Sequence, residues 1–258
     1  MKKWISYGLL VLAVPLVVVL GNTVFSGKQY AFVSLAVALL ACIPFFLRFE
    51  RGEANSIRLV LLAVLTALSV LGRLLFAVVP GFKPVTAMVI LTAMYFGGEA
   101  GFLCGALTAV LSNFYFGQGP WTPFQMFAWG MVGLLAGIFA RQLKASRLTL
   151  CIFGAVSGLV YSALMDVWTV LWAEGSFVLS RYLAAIVSSA GFTAIYCVSN
   201  VIFLLVLAKP LGKKLQRVFS WKMRYNVSVS AARLPSVRAS AVEHFSGAAL
   251  LAALRFFS

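Results

Sequence analysis

The sequence predicts an all-α polytopic membrane protein with about eight transmembrane helices, six of which form a core. Three observations predict it. Of the 258 residues, 62% are hydrophobic and only 10% are charged, against roughly 25% charged in an average soluble domain. The apolar residues fall in runs close to the ~20 needed to cross a bilayer, and eight such runs account for about 160 residues, leaving no room for a large soluble domain. The 21 Lys or Arg against 6 Asp or Glu, a net charge of +15, lie between the runs and in the tail. That is the distribution of the positive-inside rule, and it argues against a nucleic-acid partner.

The first span covers residues 4–21, after Lys2 and Lys3. Its length, and the lack of a small-residue cleavage site behind it, read as an uncleaved helix, not a signal peptide. Span two covers 30–47, and the loop 48–58 carries Arg48, Arg51 and Arg58. Span three, 59–79, stops before Pro80, and a four-residue link ending at Lys83 leads to span four, 84–96. A glycine-rich turn, Gly97 to Gly101, opens span five at 100–114. A polar and aromatic loop from Ser112 to Pro123 precedes span six at 124–140. The basic loop Arg141–Arg147, span seven at 148–172, a link, and span eight at 182–208 complete the series. With eight spans, Lys2, Lys3, loops 48–58 and 141–147 and the basic stretch 209–224 share one side, which places both termini in the cytoplasm. The division is then 1–57 for two additional N-terminal helices, 58–214 for the core and 215–258 for a basic tail. In the tail, 221–238 suits either an anionic lipid surface or disorder, and 245–257 either an interfacial helix or an unstructured end.

Glycines recur at four-residue spacing: Gly97, Gly101 and Gly105, then Gly133 and Gly137, then Gly154 and Gly158. Such faces let helices approach closely. Ala63 and Ala67 form a further small pair on span three. The 112–123 loop joins the aromatics Phe114, Tyr115, Phe116 and Trp121 to the amides of Asn113 and Gln118, with Gln125 just beyond. Flat apolar surface beside amides suits a small-molecule site, although aromatics at an interface also form lipid belts. Arg73, near the outer end of span three, and Asp166, inside span seven and flanked by Trp168 and Trp172, are the charged groups a membrane tolerates least. They serve either a ligand or each other.

No catalytic constellation is present: His244 is alone in the tail, and no metal-binding, nucleophile-elbow or phosphate-loop motif occurs. The expectation is a non-enzyme without cofactor or metal. Cys42, Cys104, Cys151 and Cys197 sit in apolar runs and read as small buried residues.

The features Gly72-Arg73, Pro80-Gly81-Phe82-Lys83-Pro84, the turn from Gly97 to Gly101, Ser112-Asn113, the run from Gly117 to Pro123, Gln125-Met126 and Gly130 together resemble the S components of energy-coupling factor (ECF) vitamin transporters. Within these, the chain looks closest to the group handling cobalamin or queuosine precursors. The resemblance implies a six-helix core that captures a vitamin on the outer face of a bacterial plasma membrane. It implies docking on a transmembrane T subunit joined to two cytoplasmic ATPases, with Ala63 and Ala67 as the docking face. In the pocket it implies stacking or capping by Tyr115, Phe116 and Trp121, polar contacts from Asn113, Gln118 and Gln125, and orientation of a charged group by Arg73 and Asp166. The residues alone leave two other classes open besides a membrane-embedded enzyme, which the absence of a nucleophile–base pair disfavours. One is a stand-alone membrane carrier, which the lack of a clear inverted repeat disfavours. The other is a membrane scaffold without a ligand.

Overall fold

A computed structural model describes residues 7–24 and 56–233 of the chain, with positions 32, 35–37, 39, 40 and 43 between them. Expected span two, most of the 48–58 loop, Cys42, His244 and the 245–257 stretch therefore lie wholly or largely outside the described residues. Two compact units are present, Met1–Lys209 and Pro210–Ser258.

In the first unit, a π-helical turn, Leu9–Ala13, runs into α1, Val14–Val24. Pro15 has no N–H to offer the preceding turn, a known reason for a helix to widen locally. Next come α2, Ser56–Leu75; α3, Val85–Phe96; α4, Gly98–Phe116; α5, Trp121–Ile138; the short α6, Ala140–Ala145; α7, Arg147–Glu174; and α8, Leu179–Arg233. The chain is thus an all-α membrane protein. Ile57–Leu75, Arg147–Glu174 and Leu179–Arg217 are each long and apolar enough to cross a bilayer. Pro210 lies inside α8, at the start of the second unit, whose backbone stays helical to Arg233.

Burial sorts the helices into two classes. Nearly every residue of α3 is buried, and α4 and α5 are buried over most of their length. By contrast, α2, α7 and α8 expose apolar stripes: Val60, Val64, Leu68 and Leu71; Leu148, Ile152 and Val156; Val187, Ile195, Val198 and Ile202. A helix that is apolar all round belongs inside a bundle. Exposed apolar surface on this scale is tolerated only against lipid or a partner.

The glycine spacing produces the tightest packing in the molecule. A Cβ on Gly105 would stand 2.6 Å from the Trp129 carbonyl carbon, and one on Gly101 would stand 2.9 Å from Gly133 O. The backbones of α4 and α5 therefore touch along their length. Gly97 ends α3 at φ +99°, and the contact continues there: a Cβ on Gly137 would stand 3.0 Å from the Gly97 carbonyl carbon and overlap Gly98. Gly154 and Gly158 face Leu204 and Cys197 on α8.

The expected loop at 112–123 shrinks to four residues. Nothing between Asn113 and Phe116 breaks a helix, so α4 continues until Gly117 leaves helical space at φ +96°. Pro120 and Pro123 fall before and within the first turn of α5, where no backbone N–H is needed. Asn113, Tyr115, Phe116, Trp121 and Gln125 are consequently helix-end residues on rigid elements. Span three ends at Leu75, four residues short of the expected end, and its last turn loosens through 76–79. Ser146 caps α7 by accepting from the Thr149 N–H, and Gly175 at φ +72° closes it. An ion pair of 3.0 Å between Arg181 and Glu174 spans the α7–α8 link.

A buried polar chain under an aromatic wall

The charged and amide residues collect at one end of the bundle. Arg73 lies at the C-terminal end of α2, Thr86 at the start of α3, Asn113 at the end of α4, Thr122 and Gln125 at the start of α5, and Asp166 toward the end of α7. Successive helices alternate in direction, so these ends are the same end.

Arg73 is 8% exposed. Its Nη1 donates to Asn113 Oδ1 at 2.8 Å and to Ser112 Oγ. Asn113 passes the chain on, its Nδ2 donating to Thr122 Oγ1 and to Gln125 Oε1, both at 2.9 Å. Gln125 Nε2 donates to the Tyr161 hydroxyl at 3.0 Å. Every hydrogen-bonding atom of the Asn113 side chain is thereby used. Gln118 is held the same way, donating to Val110 O at 2.7 Å and accepting from Thr122 Oγ1 at 3.0 Å. The guanidinium also lies 4.6 Å from the Phe116 ring centroid and 5.1 Å from that of Trp129. Both approaches are attractive for a cation over a π face.

Trp129 stacks on Tyr161 at 5.1 Å, and its indole N–H donates to the Tyr196 hydroxyl at 2.7 Å. Thr86 shares a hydrogen bond with that hydroxyl. Trp129, Tyr161 and Tyr196 thus make an aromatic wall that the sequence reading did not single out. The available signal was periodicity: Thr122, Gln125 and Trp129 are spaced three and four apart, one face of a helix. A second aromatic group lies nearby, with Trp121 edge-on to Trp168 at 6.0 Å and Trp168 stacked with Trp172 at 6.5 Å. The buried Trp168 Nε1 has no hydrogen-bond partner. Tyr115 and Phe114 are strongly exposed, and the Tyr115 ring meets only that of Phe116 among the described rings.

Arg73 and Asp166 do not pair. The Asp166 carboxylate is 7% exposed and accepts from Ser189 Oγ at 2.9 Å. Lys83, in the link before α3, has its backbone pinned at both N–H and carbonyl by Ser199 Oγ, at 2.9 and 3.2 Å. Its ammonium lies 5.7 Å from the Phe192 ring and 5.9 Å from the Tyr196 ring. Burial first, and the positive charge of Arg73 second, bring its pKa down from 10.5 to about 8. Between those two values the folded protein binds fewer protons than the unfolded chain, so stability rises as pH increases through the window. The melting temperature in detergent is expected to increase from pH 7 to pH 9.5, and Lys83→Met is expected to flatten that increase.

These helices and this centre define a multi-pass membrane protein with polar and aromatic side chains gathered at one end of its bundle. A family model described as ECF-type riboflavin transporter, S component, matches residues 53–217. That range is well over half of the chain, and the chain belongs to this family. Comparison with curated proteins and with solved structures gives no match. The match corrects the expected placement in the cobalamin or queuosine-precursor group. The run from Gly117 to Pro123 that suggested it is a helix stop, a short link and a helix start. S components of ECF transporters are non-catalytic, and no cluster of three or more His, Cys, Asp or Glu occurs among the described residues. They work with a T subunit and two ATPases.

Proposed function

We propose that this chain is the riboflavin-capture subunit of an ECF importer, taking the vitamin at the outer face of a bacterial plasma membrane. The observation that carries the reading is the family match over 53–217, which covers all the residues of the polar chain. In this reading the chain has eight spans with both termini cytoplasmic: two additional helices within 1–57, a six-helix core over 58–214, and a basic tail over 215–258.

The chemistry agrees with a flavin. Its tricyclic ring needs flat apolar surface with donors at one edge. Trp121, backed by Trp168 and Trp172, offers such a surface. Phe116 and Tyr115 cap the ring. Asn113, Gln118 and Gln125 are engaged within the protein, so they act by holding Arg73 and the start of α5 in place. Arg73 and Asp166 orient the polar parts of the ligand. Release inward follows docking on a T subunit and two ATPases. Ala63 and Ala67 are exposed on α2 between Val60, Val64 and Leu68, a small-residue face on which another helix can lie closely.

Titration of the purified protein against riboflavin, read by quenching of flavin fluorescence, tests the proposal. Saturable quenching is expected, with Trp121→Ala weakening binding at least about tenfold, the equivalent of about 1.4 kcal/mol. Ala63→Leu with Ala67→Leu is expected to leave that titration unchanged while abolishing co-purification with a T subunit and ATPases. No quenching at micromolar riboflavin would overturn the assignment.

A further inference from the structure

The link before α3 is seated on α8 residue by residue. Gly81, at φ +75°, lies so close that a Cβ there would stand 3.3 Å from both Ile195 and Phe192. The Phe82 ring packs 5.7 Å from that of Phe76 and 5.0 Å from that of Phe203. The Lys83 backbone is held at its N–H and its carbonyl by Oγ of the fully buried Ser199. On α8 the seat is one helix face, since Phe192, Ile195, Tyr196, Ser199 and Phe203 recur three and four residues apart.

This seating fixes the start of the Lys83 side chain, yet the ammonium satisfies nothing in the fold. Among the described residues it makes no hydrogen bond and no ion pair, and it lies over the Phe192 and Tyr196 rings at 5.7 and 5.9 Å. Ring faces attract its charge but leave its three donors without an oriented acceptor. The polar groups at this end of the bundle are committed elsewhere. The Tyr196 hydroxyl is bonded to Trp129 and Thr86, Asp166 to Ser189, and Glu174 to Arg181. Arg73, whose charge reaches the ammonium, adds repulsion. An unpaired charge in such surroundings is costly. Lys83 is only partly buried, so the missing partner has access from outside.

That partner must supply acceptor oxygens. A full anion calls for several convergent charged donors, but Arg73 Nη1 is taken up by Ser112 and Asn113, and the wall's hydroxyls and indole N–H bond within the protein. One free donor head beside flat aromatic surface fits the carbonyl oxygens at the edge of a flat ring. Trp121 lies eight residues before Trp129, about 12 Å along α5. A ring against Trp121 with its carbonyl edge leading therefore extends toward the level of Trp129 and Tyr196, where the ammonium lies.

We propose that Lys83 is a substrate-contacting residue of the capture site, its ammonium donating to the carbonyl edge of the ring and selecting for that edge. The inference rests on the riboflavin reading, because the pyrimidine ring of a flavin carries two carbonyl oxygens. The test titrates the full chain in detergent with riboflavin, by flavin fluorescence, and measures 2-thioriboflavin and 4-thioriboflavin by competition. In each analogue a weakly accepting sulfur replaces one oxygen of that edge. Wild-type protein is expected to bind at least one analogue about threefold or more less tightly than riboflavin. Lys83→Met is expected to weaken riboflavin binding at least about tenfold, the scale of a hydrogen bond from a charged group, and to bind riboflavin and that analogue alike. The Ser199 clamp uses only backbone atoms of Lys83, so the substitution leaves the seat of the link intact, and the wild-type comparison needs no variant at all. Equal binding of all three flavins by wild type would overturn the Lys83 assignment and leave the riboflavin reading standing. So would a Lys83→Met protein that keeps wild-type riboflavin affinity or the wild-type preference. A wild type that binds none of the three would overturn both.

Discussion

Asn113→Leu is expected to be the most damaging single substitution at the polar end of the bundle. Asn113 Oδ1 accepts from Arg73, and its amide donates to Thr122 and Gln125. Leucine removes all three bonds at similar size. Arg73 keeps Ser112 and the two aromatic faces but loses an oriented acceptor. A hydrogen bond to a charged group contributes about 1.5–3 kcal/mol, and each buried neutral group left unpaired costs about 1–3 kcal/mol. A destabilisation on the order of 3 kcal/mol follows, together with loss of riboflavin binding, because the start of α5 carries Trp121 and Gln125. Asn113→Asp separates the two effects. It keeps an acceptor for Arg73 and makes the contact an ion pair, while still losing both donors. Its melting temperature is expected to lie well above that of Asn113→Leu, with riboflavin binding still weakened. If the two variants melt together, the Arg73 bond is not what holds this end of the bundle.

The geometry explains why a cation is tolerated here. A buried guanidinium is costly unless its donors are met. Arg73 is met by Ser112, Asn113 and two ring faces. Among the described residues it makes no ion pair, so its charge stays uncancelled beside the aromatic wall.

Much of this arrangement was legible in the sequence, and the illegible parts share a cause. Charge in an apolar run marked Arg73 and Asp166, because the bilayer makes such groups rare whatever the tertiary structure. Glycine spacing marked the α4–α5 contact, since only glycine permits that approach. Pairing was not legible. Asp166 takes its bond from Ser189, 23 residues away, and Arg73 takes Asn113, 40 residues away. Such partners depend on which helix faces meet, and a sequence fixes the face only once the helix phase is known. The loop at 112–123 was misread for a local reason: clustered Gly and Pro signal a turn, but not that the helices on both sides press up to it. Tyr161 and Tyr196 escaped notice because an aromatic inside an apolar run is indistinguishable from ordinary core until its hydroxyl is placed.

Gly133→Val is expected to be the most damaging change in the fold outside that polar end. A Cβ on Gly133 would overlap the Gly101 carbonyl and come within 2.8 Å of Phe102 N. These obstacles are backbone, so no rotamer change can relieve them, and the two helices must move apart. The separation would propagate along the contact, because Gly105 lies against Trp129, and Gly98 against Gly137, through the same interface. Overpacking in a close-packed interior typically costs about 1–3 kcal/mol, and the backbone contact places this case at the upper end. Trp129 sits one turn before Gly133, so displacing α5 also shifts the ring that stacks on Tyr161 and approaches Arg73. The variant is therefore expected to melt at least several degrees lower in detergent and to lose riboflavin affinity without any change to a binding residue. Gly191→Ala provides the control, since a Cβ there would meet nothing within 4 Å; it is expected to match wild type in both measurements. A Gly133→Val protein with wild-type melting would mean that α4 and α5 do not touch backbone to backbone.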